Sequence, residues 1–278
     1  IKLSALHPRY SRAQRASVMA ELLPRLVSLA ELACHYGLGM NIDAEESERL
    51  DLSLDLLEAL CADGRLADWD GMGFVVQAYQ KRALAVVDYL IDLSRRRNQP
   101  LMLRLVKGAY WDGEIKRAQL GGMADYPVYT RKIHTDVSYL ACARRMLEAG
   151  PFIYPQFATH NALTLATVYE MAGGPGSDPR SYEFQCLHGM GEALYDQVVG
   201  APEQGGLGRP CRIYAPVGTY DRLLAYLVRR LLENGANTSF LHQLGNSAVQ
   251  LDRLLLDPVE QARALRPIGR PHEKIPLP

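Results

Sequence analysis

The 278-residue sequence has no surplus charge of either sign: thirty-one lysines and arginines face thirty-one aspartates and glutamates. With no global field to gather polyanions, bulk charge argues against nucleic acid and anionic membrane as partners. The five cysteines, Cys34, Cys61, Cys142, Cys186 and Cys211, fall in no CxxC or Cys/His spacing. Neither a zinc site nor a disulfide framework is expected, and a reducing, intracellular compartment suits that usage. No apolar run reaches bilayer length, and neither a membrane span nor a secretory leader is expected from the residues given. No GxGxxG follows an early strand, which argues against a dinucleotide-binding doubly wound fold.

What is present is alternation. Strand patterns are read at Ile1–Leu6, Leu38–Asp43, Gly73–Tyr79, Leu101–Lys107, Phe152–His160, Tyr182–His188 and Arg212–Pro216. Between them run amphipathic stretches such as RAQRASVMAELLPRLVSLAELACHYG and KRALAVVDYLIDLSRRRN, several ending near glycine (Gly37, Gly150, Gly235). The basic run SRRRNQ (Ser94–Gln99) falls where a helix ends, and there cations complement the dipole. Strand–helix alternation implies a parallel sheet with helices outside it. Seven such strands in one uninterrupted domain predict an α/β fold, a (βα)8 TIM-type barrel. Its remaining strand is expected before Ile1 or absent, because IKLSAL opens on a strand with no lead-in.

Chemistry in such a barrel gathers where strands end and βα loops meet. The residues there are Asp43, Gln77, Arg104, Lys107, Gly108, Ala109, Tyr110, Trp111, Thr159, His160, Asn161, Gln185, Cys186, Leu187, His188 and Tyr214, with Lys2 in the opening strand. Each has a plainer reading. Asp43 suits the cap of a helix starting at Ala44, Tyr214 suits rim packing, and His160 and His188 suit satisfied core histidines. A metal held by Asp43, His160 and His188 has no local motif behind it. Arg104 is harder to dismiss, since an unpaired charge inside a packed barrel costs several kcal/mol. Gly108 and Ala109 leave backbone N–H groups open, as phosphate sites do.

The segment Tyr220–Glu233 projects as a helix with Tyr220, Leu223, Leu224, Leu227, Val228 and Leu231 on one stripe. That stripe is expected to face the core. Tyr226, Arg229, Arg230 and Glu233 share the opposite face. They form either a solvated surface with an Arg229–Glu233 ion pair or a guanidinium clamp for a carboxylate. The cations Lys2, Arg104, Lys107, Arg229 and Arg230 against the single Asp43 favour an anionic ligand.

The segments IKLSALHPRYSRAQ, GLGMNIDAEESERLD, LRLVKGAYWDGEIKRAQ, YPQFATHNA and LVRRLLENGANTSF, in this order, resemble proline dehydrogenase. The likeness is to the proline dehydrogenase domain of bacterial bifunctional proline-utilisation flavoenzymes, and it covers essentially the whole chain. The resemblance implies a distorted (βα)8 barrel with its last helix over the barrel top. It implies FAD as cofactor, oxidation of L-proline to Δ1-pyrroline-5-carboxylate, and transfer of the electrons to a membrane quinone. Arg229 and Arg230 are then expected to clamp the proline carboxylate, or that of an analogue, with Lys2 assisting. Tyr214 and Tyr226 would pack on the ring, Tyr110, Ala109 and Leu187 would complete the pocket, and Asp43 would order the polar network.

For FAD the same pattern implies Gln77 and Arg104 at the flavin ring and Lys107, Gly108, Ala109 and Trp111 along the cofactor. Thr159, His160 and Asn161 would lie near phosphates and ribityl chain, Glu233 and Ser239 near adenine or ribose, with Gln185, Cys186 and Leu187 also counted as contacts. The full-length protein is expected to add an aldehyde dehydrogenase domain. It would be cytoplasmic, or peripheral at the inner membrane. The family's first strand and a gating carboxylate are expected upstream of Ile1. Without the resemblance, the strand-end lysines Lys2 and Lys107 suggest a Schiff-base aldolase or related lyase. A third reading is a ligand-binding barrel that has lost its chemistry.

Overall fold

The computed structural model describes residues 1–235 and 255–278. They gather into two compact units, residues 1–155 with 266–278 and residues 156–265. In the first unit β1 (Met40–Ile42), β2 (Met72–Gln77) and β3 (Leu101–Val106) form a parallel ladder. Around it run α1 (Arg15–His35), α2 (Leu50–Cys61), α3 (Ala83–Arg97), α4 (Trp111–Leu120) and α5 (Lys132–Glu148). α1 packs on α2 and α3 on α5. The apolar spacing explains the packing: α1 buries Val18, Leu22, Leu26 and Ala30, one turn apart. α3 ends with Arg95, Arg96 and Arg97 in its last turn and Asn98 in the left-handed conformation at φ 55°, where the basic cluster was expected.

The ladder register sorts the side chains. Asn41 pairs with Gly73, Val75 with Arg104, and Gln77 with Val106, so these residues share one face. Phe74 and Leu103 belong to the other face, where Leu101, Leu103 and Leu105 are buried in the core. Asp43 lies two residues past Asn41 and continues the polar face.

The opening strand is not formed as expected. Ile1 makes the hydrogen bonds of a parallel pair with β1, donating to the Asn41 carbonyl at 2.6 Å and accepting the Asp43 N–H at 2.8 Å. Lys2 is still extended, but Leu3–Ala5 is a 3-10 turn. The physical reason is that Leu3 turns fully inward, while the Ser4 N–H is taken by the Glu45 carboxylate at 3.0 Å instead of a ladder partner. The other strands are present but shorter than their patterns, β1 by half and the rest by one to three residues.

In the second unit, β5 (Glu183–Leu187) pairs in parallel with Gln156–Ala158 of β4 (Ile153–Ala158) and with β6 (Cys211–Tyr214). Gln156, Glu183, Gln185, Leu187, Arg212 and Tyr214 share one face by register. On the other face Phe157 and Phe184 join Tyr182 in an edge-packed cluster with ring centroids 5.5–6.3 Å apart. Among the described residues the unit's α-helices are α6 (Ala162–Met171), α7 (Glu192–Val199), α8 (Tyr220–Gly235) and a short segment Pro258–Ala264.

Most of the apolar stripe of α8 does not face the core. Tyr220, Leu224, Leu227, Val228 and Leu231 are exposed and only Leu223 of the stripe is half-buried, whereas Tyr226, Arg229 and Arg230 on the opposite face are all half-buried. Amphipathic spacing fixes which residues share a stripe; it does not fix which stripe meets protein. Among the described residues no helix is long and apolar enough to cross a membrane.

Candidate active site

At the C-terminal end of the first ladder, β1 runs directly into Asp43, and the extended Lys2 lies beside it. Lys2 Nζ is 2.9 Å from the Asp43 carboxylate and donates to the Ala44 carbonyl at 2.9 Å and the Tyr110 hydroxyl at 3.1 Å. Burial opposes the ammonium charge, but Asp43 and Tyr110 outweigh it, so the Lys2 pKa lies above the usual lysine value. Such an amine is a poor Schiff-base nucleophile. Arg104, projecting from the polar face of β3, reaches Asp43 at 3.9 Å. Gln77 donates from Nε2 to the Glu45 carbonyl at 2.8 Å. Lys2, Asp43, Arg104 and Tyr110 are thus brought together, with Gln77 tied to the same loop.

Asp43 does not cap a helix at Ala44. Its Oδ1 accepts the Ala44 N–H at 3.1 Å, but the next helical turn begins at Ser47.

Past β3 the chain changes direction at Gly108, whose φ is +131°. A Cβ there would stand 2.5 Å from the Tyr79 ring, so only glycine fits without a shift. Ala109, the next residue of the turn, is exposed. Lys107 is held by Asp136 at 2.5 Å, and Lys132 shares that carboxylate at 2.7 Å. Burial keeps the Lys107 pKa below the usual lysine value despite Asp136. Trp111 donates from Nε1 to the Tyr129 carbonyl at 2.8 Å.

In the second unit, His160 Nε2 accepts the Leu187 N–H at 3.1 Å. Burial, with the Arg230 charge adding to it, lowers the His160 pKa to about 4, so the ring is neutral at pH 7. The Tyr195 hydroxyl lies 2.5 and 2.9 Å from the carbonyls of Thr159 and Gln185, tying the ends of β4 and β5 together. Asn161 caps α6 by accepting the Thr164 N–H at 2.9 Å. Arg230 stacks over the Tyr226 ring at 5.2 Å.

Cys186 lies on the face opposite Gln185 and Leu187, its sulfur 3.7 Å from that of Cys211. Burial pushes the Cys211 thiol up to about 12, far from nucleophilic use. His188 is exposed, not a core histidine. Tyr214 is half-buried at the end of β6, its carbonyl accepting the His188 N–H at 2.9 Å. The Glu233 side chain and the whole of Ser239 lie outside the described residues. No cluster of three potential metal ligands occurs among the described residues.

The family model described as "Proline dehydrogenase" matches residues 2–243. The chain belongs to the proline dehydrogenase family. Bifunctional protein PutA of Escherichia coli K12 is 64% identical over 282 residues, covering 100% of this chain and 21% of that protein. The PutA of Rhizobium meliloti is 62% identical over 283 residues, covering 100% and 22%. A solved structure of proline utilization A with proline bound in remote sites is 54% identical, with a TM-score of 0.92, covering 100% of this chain and 27% of that one. The form from Bdellovibrio bacteriovorus inactivated by N-propargylglycine is 34% identical, with a TM-score of 0.87, covering 94% and 26%. The chain spans about a fifth of the length of the curated relatives it matches.

Two carboxylates, one in each unit, escaped the sequence reading. Glu183 is buried on β5, accepting hydrogen bonds from Gln156, Gln185 and Arg212. It carried the same signal as Arg104, a charge within a strand. Asp136 carried only a helical i,i+4 spacing to Lys132, which reads as a surface pair; nothing local links it to Lys107, 29 residues away.

Proposed function

We propose that this chain oxidises L-proline to Δ1-pyrroline-5-carboxylate, the first step of proline breakdown. The observation that carries the proposal is the Lys2–Asp43–Arg104–Tyr110 constellation in a chain of this family. FAD, when bound, would supply the acceptor for the hydride leaving the ring carbon beside nitrogen, with a membrane quinone as the final acceptor. The residues present fit that group by the chemistry of their donors. Arg104 and Lys107 are cationic, His160 is a neutral donor, and Gly108 keeps a side-chain-free turn. Such cations would suit a ring that gains negative charge on reduction, and the backbone amides of the turn would suit phosphate.

The residues of the chain have distinct duties in this reading. Arg229 and Arg230 bind the substrate carboxylate, with Lys2 as a further charge. Tyr226 and Tyr214 hold the ring, and Leu187, Ala109 and Tyr110 complete the pocket. Asp43 orders Lys2 and the amine side of the substrate. A cationic pocket also favours the neutral amine that oxidation requires. Gln77, Trp111, Thr159, Asn161, Gln185 and Cys186 belong to the cofactor contacts, as do Glu233 and Ser239.

Closure into an eight-stranded (βα)8 barrel belongs to the same proposal, as does an aldehyde dehydrogenase domain in the longer protein that takes up the product. The test is an anaerobic absorbance titration of the purified, flavin-loaded protein. L-Proline should bleach the flavin bands where D-proline and alanine do not. A protein that takes up no FAD, or whose flavin no amino acid bleaches, would refute the reading.

A further inference from the structure

The loop between β1 and α2 carries more of the candidate site than its length suggests. Within three residues it presents the Asp43 carboxylate, the Ala44 carbonyl that receives Lys2, and the Glu45 carbonyl that receives Gln77. A cavity of about 20 Å³ lies against it, lined among others by Tyr10, Asp43, Glu45, Arg49 and Gln77. Room for about one water is too little for proline, yet it leaves part of the loop without close packing.

What holds the far end of the loop is a carboxylate from another element. Glu114, in the first turn of α4, is 1% exposed. Its Oε1 accepts the Ser47 N–H at 2.7 Å and its Oε2 accepts the Ser47 hydroxyl at 2.6 Å. Ser47 is gripped a third time through its carbonyl, which accepts from Arg82 Nη2 at 2.6 Å. Arg117 lies 3.6 Å from Glu114 and offsets its buried charge. A bidentate pair fixes both position and orientation, which a single neutral hydrogen bond does not. α4 also begins one residue after Tyr110, so the same helix sets the Lys2 partner and the latch.

We infer that Glu114 is a positioning residue: through Ser47 it sets where Asp43 stands relative to Lys2 and Arg104, and so tunes proline binding. The inference rests on the proposed function for its substrate and on the geometry alone for the latch. The variants Ser47→Ala, Glu114→Gln and their double answer it in the flavin-loaded enzyme. The expected result is a KM for L-proline raised about tenfold in each single variant, since small misplacements of site groups are costly. The double variant should be no worse than the worse single, because both substitutions weaken the same Ser47–Glu114 pair. Flavin content should stay at the wild-type level.

Hydrogen–deuterium exchange of residues 43–47 should speed up in all three. A purely structural role would lower the melting temperature and leave KM where it was; a wild-type KM in both single variants overturns the inference. Should L-proline fail to bleach even the wild-type flavin, the proposed function falls. The exchange measurement then decides the latch alone, and unchanged exchange rejects it.

Discussion

The Leu187 N–H donates to His160 Nε2 across 3.1 Å, so the imidazole proton is carried by Nδ1. The bond also uses the acceptor that protonation would need. With the folded pKa lowered to about 4 by burial and by Arg230, the unfolded chain binds a proton near its ordinary pKa, roughly 6.5, before the folded one does. Stability from this group is therefore present above about pH 6.5 and lost as pH falls through 4, by about 1–3 kcal/mol. Urea unfolding between pH 4 and 7 should show that slope, and His160→Gln should flatten it. An unaltered slope in the variant would show that other groups carry the acid sensitivity.

Arg230→Ala should weaken L-proline binding by about 2–4 kcal/mol, the loss of a charge-assisted, bidentate contact. FAD should stay bound. The measurement is the proline concentration that half-bleaches the flavin anaerobically. Intact proline affinity would return the arginine face of α8 to a merely solvated role.

Arg104→Ala should act differently, through the cofactor. Arg104 lies 3.9 Å from Asp43 on the polar face of β3, and its removal takes positive charge from beside the expected flavin ring. Flavin occupancy or the rate of flavin reduction should fall. A variant with full occupancy and an unchanged rate in stopped-flow reduction would remove Arg104 from the cofactor set.

Gly108→Ala should destabilise the fold by about 1–3 kcal/mol, because alanine is strained at positive φ. The Tyr79 ring adds a clash, standing 2.5 Å from the new methyl. Denaturant midpoints of the two proteins check it, and an unchanged midpoint would mean that the turn relaxes freely.

The sequence by itself determined the alternation of strands and helices, the approximate place of most elements, and the residue types at the strand ends. Those features follow from local periodicity, turn chemistry and caps, which any stretch carries within itself. Its family segments likewise named Lys2, Asp43, Arg104 and Tyr110 without showing how they meet.

Only the tertiary structure decided which partner each charge takes. Leu3 is drawn into the core and ends the opening strand after Lys2, although IKLSAL has strand-like composition. Most of the apolar stripe of α8 stays exposed while Tyr226, Arg229 and Arg230 opposite it are half-buried, because spacing is blind to what lies opposite a helix. Glu114 and Ser47, 67 residues apart, become one latch. Burial, and the carboxylate or amide that meets a buried charge, are long-range properties, so no local window of the chain contains them.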